Sequence, residues 1–329
     1  MSEKTLLSPA LAKLRDGDGF EGFYVVKESS FQTAVNGKNY IRMTIGDASG
    51  SLQANVWDAN RELYNLCPSG SVVKIQGVAE SYKGKAQVRI GRFRPAHESE
   101  VDFDGFMPKS SRDTGEMRDE LLALIDSLRD SDYKALALAF FGDTRLMDAF
   151  ARSPAARDMH HAFIGGLIEH TLSIARMADA FAARNRVDRD LLLLGALLHD
   201  IGKVEELSAK FTIDYTDRGK LLGHLYIGAE MAGRRAAQIP GFPAEKLVLV
   251  QHLILSHHGR YEYGSPVLPK IPEAFALHHL DNLDAKVETS NKLLDAIVDP
   301  EKTWTEYSRA METQLYRSEA REKAGDNAG

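Results

Sequence analysis

Apolar and polar positions change their period once along the chain, near residue 100. Upstream they alternate. In "NYIRMTIGD" Ile41, Met43 and Ile45 fall on one face and Tyr40, Arg42 and Thr44 on the other; in "SLQANVWD" Leu52, Ala54 and Val56 oppose Gln53, Asn55 and Trp57. A period of two predicts half-buried strands, and Asn36-Gly37, Asp47-Ala48-Ser49-Gly50 and Lys83-Gly84 supply turns between them. Downstream, from about 116 to 298, apolar residues recur at helical spacing. Leu167, His170, Thr171, Ile174, Met177, Ala178 and Phe181 share one stripe, and "RDLLLLGALLHDIG" is apolar nearly all round. "KFTIDYTD" reads as a small hairpin inserted among the helices.

Between the third and fourth strands, "ANRELYNL" suits a short helix, giving the order of three strands, a helix and two strands. That is the order of a five-stranded oligonucleotide-binding (OB) barrel. The expected architecture is therefore an N-terminal all-β OB barrel followed by an all-α helical body. Its parts are an N-terminal segment (1–17), the barrel (18–95), a polar linker rich in turn formers (96–115), the helical body (116–300), and a C-terminal helix with a frayed tail (301–329). The segment "PEKTWTEYSRAMETQLYRSEA" is expected to be helical and to pack on its own body or on a second copy, which makes a homo-oligomer one expectation.

Composition adds three constraints. The chain has 329 residues, enough for two domains. A single cysteine, Cys67, excludes an internal disulfide and a cysteine-cluster zinc site. There is no apolar run suited to a signal peptide or a membrane span, so a cytoplasmic protein is expected. The net charge of −6 conceals an asymmetry: residues 20–96 carry ten Lys/Arg against six Asp/Glu, so the rest of the chain is strongly acidic. On the barrel, Tyr40, Arg42, Trp57, Tyr82, Lys83, Lys85 and Arg89 are candidates for stacking on bases and contacting phosphates, since single-strand binders combine aromatic platforms with a basic track.

Ten of the eleven histidines lie between residues 160 and 279. His170 sits on an apolar stripe, His199-Asp200 ends the leucine helix, His224 opens "GHLYIGAEMAG", His257-His258 close "LVQHLILSHHG", and Asp281 lies in "FALHHLDNLDAK". Any one of these alone reads as a hydrogen-bonded core residue. Seven such groups reaching one core would be costly unless something satisfies them together, and a cluster of cations does so.

The order His170, His199-Asp200, Asp281, with "HDIGK" at its centre, resembles the HD superfamily of metal-dependent phosphohydrolases, and His224 with His257-His258 resembles its dinuclear members. The position where some members place a glutamate for a third metal is Gly166 here, and the "HHE…GYP" pattern of the cyclic-dinucleotide branch is replaced by "HHGRYEYGSP". An OB-like domain ahead of the HD motifs, with "HHAFIGGLIEHT", resembles the YhaM family of 3′-to-5′ exoribonucleases over about residues 18–300. The resemblance implies a metal-dependent phosphodiesterase acting on single-stranded RNA, with DNA also open. It implies one divalent ion on His170, His199, Asp200 and Asp281, and a second on Asp200, His224, His257 and His258. It further makes Asp200 the bridging catalytic carboxylate and Lys203, one turn after His199, a cation for the phosphate. A ligand set of nitrogen and oxygen without thiolate suits manganese first, then iron, cobalt or zinc. His160 and His161 are read as substrate contacts or caps, and His252, His278 and His279 as structural. The rival readings are a phosphohydrolase of nucleotides or cyclic nucleotides regulated by the OB domain, and a binding module whose HD site is structural.

Overall fold

The computed structural model describes residues 8–318 except 83, 102–105, 158–160, 210–212, 298 and 300. The candidates Lys83 and His160 therefore lie outside the described residues. The chain divides into two compact units, Met1–Lys109 with Ser208–Asp214, and Ser110–Leu207 with Tyr215–Gly329.

The first unit is a closed five-stranded barrel. Strands β1 (Gly19–Thr33), β2 (Asn39–Asp47) and β3 (Gly50–Trp57) are followed by a short helix α1 (Arg61–Asn65), then β4 (Val72–Tyr82) and β5 (Lys85–Pro95). The strand order is β1-β2-β3-β5-β4, closed by pairing of β1 with β4; only β3 and β5 run parallel. Period-two alternation is borne out residue by residue. Ile41, Met43, Ile45, Ala54, Val56, Val73, Ile75, Val88 and Ile90 fill the interior, while Tyr40, Arg42, Asn55 and Trp57 stand between them on the outer face. The Asn60 side chain caps α1 by accepting from the Leu63 backbone N–H.

The second unit is helical: α2 (Thr114–Asp126), α3 (Ser131–Phe141), α4 (Thr144–Arg152), α5 (Gly166–Ala182), α6 (Arg189–Leu198) and a single turn α7 (Lys203–Glu206). A ribbon of two short strands, β6 (Leu207–Ala209) and β7 (Ile213–Tyr215), most of whose residues belong to the first unit, comes next in the chain, and the second unit continues with α8 (Asp217–Ala236), α9 (Ala244–Ser256) and α10 (Pro272–Asp295). Aspartates set several starts: Asp113, Asp130, Asp143 and Asp188 each accept from backbone N–H groups in the first turn of α2, α3, α4 and α6. Helix α6 is enclosed on all sides, with every residue from Asp190 to Leu198 buried. Each of its leucines contributes about 1.5–3 kcal/mol of burial, which anchors the helix whose end carries His199 and Asp200. No helix among the described residues is long and apolar enough to cross a membrane.

One expectation is corrected here. The described residues beyond α10 contain no C-terminal helix; residues 301–318 fold back on themselves through bridges Trp304↔Tyr316 and Ser308↔Thr313. The cause is local. The Trp304 and Tyr316 rings pack with centroids 5.1 Å apart, and Thr305 donates its N–H to the Leu315 carbonyl while its hydroxyl accepts from the Leu315 N–H. Aromatic and β-branched side chains favour such cross-strand pairs over a helix.

Candidate metal centre

Five helical elements deliver the polar groups. His170 comes from α5, His199 and Asp200 from the end of α6, His224 from α8, His257 and His258 from the end of α9, and Asp281 from α10. All seven sequence candidates for metal ligation converge. Asp200 is at the centre, 2% exposed. Its Oδ2 lies 3.3 Å from His199 Nε2 and 3.6 Å from His170 Nε2, and its Oδ1 lies 3.4 Å from His224 Nε2 and 3.6 Å from His257 Nε2. Asp281 Oδ1 is 3.3 Å from His170 Nε2. Ligand atoms of His170, His199 and Asp281 lie within 4.8 Å of one another, as do those of His224, His257 and His258. The carboxylate of Asp200 stands between the two sets.

The orientation of the rings decides what the cluster can bind. Each of the five imidazoles uses Nδ1 on the protein itself. His199 Nδ1 donates to the Ala196 carbonyl (2.8 Å), His257 Nδ1 to the Ile254 carbonyl (2.8 Å) and His258 Nδ1 to the Tyr263 carbonyl (2.8 Å). His170 Nδ1 lies 2.7 Å from Asp284 Oδ2 and His224 Nδ1 3.0 Å from Glu206 Oε1. A neutral imidazole whose Nδ1 carries the proton presents a lone pair at Nε2. Five Nε2 atoms and two carboxylates thus face one space. His170 Nε2 and His199 Nε2 point at each other across 3.3 Å, which is about the ligand–ligand edge of a tetrahedron with metal–nitrogen bonds of ~2.0–2.1 Å. Asp200 Oδ1 and His224 Nε2 are buried without a hydrogen-bond partner. A cation, or protons, must satisfy this arrangement.

The proton affinities show the same conflict. Burial acts to lower the pKa of His170, but hydrogen bonds to Asp281 and Asp284 override it and raise the value to about 9. Burial, then the neighbouring His257 and His224, push His258 down to about 3. Burial favours neutral Asp200, yet the Lys203 ammonium and His199 hold its carboxyl well below the usual range. The negative charge of Asp200 is kept, while burial holds His257 and His258 toward neutrality.

Two residues that the sequence did not single out as functional have clear roles here. Asp284, one turn after Asp281, accepts from His170 Nδ1 and from the Ser173 hydroxyl, and lies 3.3 Å from His161 Nε2. Glu206 accepts from both the backbone N–H and the ring Nδ1 of His224. Such outer carboxylates fix the tautomer and raise the basicity of ligating histidines. The signal available in the sequence was the i, i+3 spacing of Asp281 and Asp284 on one helix face.

Glycines make the close approaches possible. A Cβ on Gly202, the glycine of "HDIGK", would lie 2.2 Å from the His224 carbonyl oxygen and 2.8 Å from Gly228 N. A Cβ on Gly166 would lie 2.0 Å from the His161 carbonyl oxygen, so no glutamate for a third metal could stand there. Gly223 interrupts α8 with φ 70° and ψ 153°, just before His224.

The remaining candidates are placed as follows. Lys203 Nζ donates to Asp200 Oδ2 at 2.6 Å, and both line a recess of about 220 Å³ floored by Asp200 and Asp281. His161 is buried beside Asp284, with a left-handed backbone (φ 50°). His278 Nδ1 donates to the His257 carbonyl and His252 Nε2 accepts from Lys270 N. On the barrel, Tyr40 pairs with Trp57 across β2 and β3, their ring centroids 5.0 Å apart and their planes tilted by 30°, and Trp57 is 48% exposed. Arg42 pairs with Asn55, which neighbours Arg89 across β3 and β5. Arg42 is hydrogen-bonded to Gln53 and Arg89 is 3.4 Å from Glu80. Tyr82 and Lys85 are exposed at the β4–β5 turn.

Comparison with known proteins gives these parts a family. The HD-domain family model matches residues 167–286, and the model of an OB-fold nucleic acid binding domain matches residues 25–96. A solved replication protein A heterotrimer bound to single-stranded DNA aligns with 26% of this chain and 60% of its own at 19% identity and TM-score 0.20. The second OB-fold domain of replication protein A from Methanococcus maripaludis aligns with 28% of this chain and 96% of its own at 12% identity and TM-score 0.23. The 3′-5′ exoribonuclease YhaM of Bacillus subtilis (strain 168) is 34% identical over 304 residues, covering 91% of this chain and 95% of the relative. With an OB barrel, an HD body and a relative matched along nearly its whole length, the chain belongs to the YhaM family of 3′-5′ exoribonucleases.

Proposed function

We propose that this protein is a dinuclear, metal-dependent phosphodiesterase that shortens single-stranded RNA from the 3′ end. The observation that carries the reading is the convergence of four imidazole Nε2 atoms on the two oxygens of Asp200. Direction and substrate rest on family membership. His170, His199, Asp281 and Asp200 would hold one divalent ion, and Asp200, His224, His257 and His258 a second, with manganese preferred over iron, cobalt or zinc for this thiolate-free set. Once bound, such ions supply an acidified water and neutralise charge that builds on the phosphoryl oxygens. The chain's own groups do the rest. Asp284 and Glu206 orient His170 and His224. Lys203 keeps a buried positive charge in the recess where a phosphate oxygen would lie, and Asp200 holds it in place. Burial opposes that charge, but the Asp200 carboxylate outweighs it and raises the lysine's pKa.

The barrel supplies strand binding. Tyr40 and Trp57 offer a stacking surface, with Arg42 and Arg89 on adjoining strands for the backbone. Trp57→Ala is expected to raise KM for long strands about tenfold, the scale of one base–aromatic stack, while KM for dinucleotides changes far less.

The reading is tested with 5′-labelled single-stranded RNA in manganese and in EDTA. A metal-dependent ladder of shortened products is expected. Intact RNA alongside hydrolysed mononucleotides would assign the site to small nucleotides instead. Asp284→Ala is expected to weaken metal binding about 10- to 100-fold, read by titrating the chelated protein with manganese and following its melting temperature. An unchanged titration would remove Asp284 from the metal site.

A further inference from the structure

The recess above Asp200, Lys203 and Asp281 is small and charged. Beside it in the same helical unit lies a second cavity of about 540 Å³, within the ~300–1,000 Å³ typical of small-molecule sites. His258 and Tyr263 line both, so the two cavities share a wall. Their chemistry differs. Leu222 and Val267 give the second cavity aliphatic sides, and Tyr226 and Tyr263 give it flat rings. Among the described residues no lysine or arginine lines it, and the one carboxylate among them, Glu206, is occupied by the backbone and ring N–H groups of His224. The break in α8 at Gly223, which delivers His224 to the metal centre, also borders this cavity.

A cavity whose described lining has aromatic and aliphatic walls and no lysine or arginine offers little to a phosphate and suits a flat, neutral ring. Its tyrosines are exposed, Tyr226 by 52% and Tyr263 by 56%, leaving apolar surface in water next to the reaction centre, as a ligand-binding face does. In a nucleotide strand only one ribose separates a phosphate from its base, so a base cavity must adjoin the phosphate recess. The shared His258–Tyr263 wall meets that requirement.

From this juxtaposition we infer that the cavity bounded by Leu222, Tyr226, Tyr263 and Val267 receives the nucleobase of the strand's 3′-terminal nucleotide while its phosphodiester lies over Asp200. The inference rests on the exonuclease reading above and adds the subsite. Stacking between phenol rings and hydrocarbon accepts all four bases, because every base has a π-face. An enzyme that moves along a strand of mixed sequence requires that tolerance.

The test is steady-state kinetics of the full chain with manganese on two oligoribonucleotides that differ only at the 3′ end, one bearing a natural nucleotide and the other an abasic residue. The abasic end is expected to raise KM about tenfold. That ratio should fall toward one in Tyr226→Ala, which removes an exposed ring, and in Val267→Trp, which fills the cavity. Equal KM values in the unaltered protein, or a ratio preserved in both variants, would overturn the base cavity and leave the nuclease reading standing. Absence of metal-dependent shortening of either oligomer would overturn the nuclease reading and this subsite together.

Discussion

Asp200→Asn is expected to slow RNA shortening by at least a thousandfold, about 4 kcal/mol of lost transition-state stabilisation. The substitution keeps the shape of the side chain but removes one of two oxygens that face four imidazole Nε2 atoms at 3.3–3.6 Å. The new amide group must point its donors at one set of lone pairs, so that side is disabled for a cation. The same change strands the buried Lys203 ammonium, now 2.6 Å from a neutral group, and breaking a buried pair from one side costs about 3–5 kcal/mol. Chemistry and stability can be separated. In Asp200→Asn with Lys203→Met the uncompensated charge is gone, so the melting temperature should recover while activity does not. Activity returning in the double variant would show that Asp200 acts only through Lys203.

The second large effect is expected from a single methyl group. Gly202→Ala places its Cβ against the His224 carbonyl oxygen and Gly228 N, backbone atoms that cannot rotate away. Helix α8 must retreat, and His224 retreats with it. Overpacking of this kind costs about 1–3 kcal/mol, and misplacing a functional group by about an ångström costs roughly a hundredfold in rate. Thermal unfolding and the RNA ladder assay measure the two losses. Full activity in Gly202→Ala would mean that α7 and α8 have room to separate without disturbing His224.

The fold was legible where the pattern was long and one-sided. The alternation in β2 and β3 placed Ile41 to Trp57 on the correct faces, and the leucine run of α6 announced a helix enclosed by others. The seven converging polar groups were legible for a different reason: a buried imidazole or carboxylate is too costly to keep idle, so several in one helical body point to one another. What could not be read was anything set by backbone direction. The Nδ1 bonds of His199, His257 and His258 go to carbonyls whose positions exist only once the helix ends are built. Asp284 and Glu206 were hidden by their ordinariness, since acidic residues on helices are usually solvated. The segment beyond α10 misled because its spacing suits a helix, whereas Trp304, Tyr316 and Thr305 settle its form by pairing across a turn.

The planes of all five imidazoles are set by hydrogen bonds to the chain, so each ring is aimed before an ion binds. Little rotamer freedom is left for loading to freeze, and binding costs these side chains less entropy than it would cost five free imidazoles.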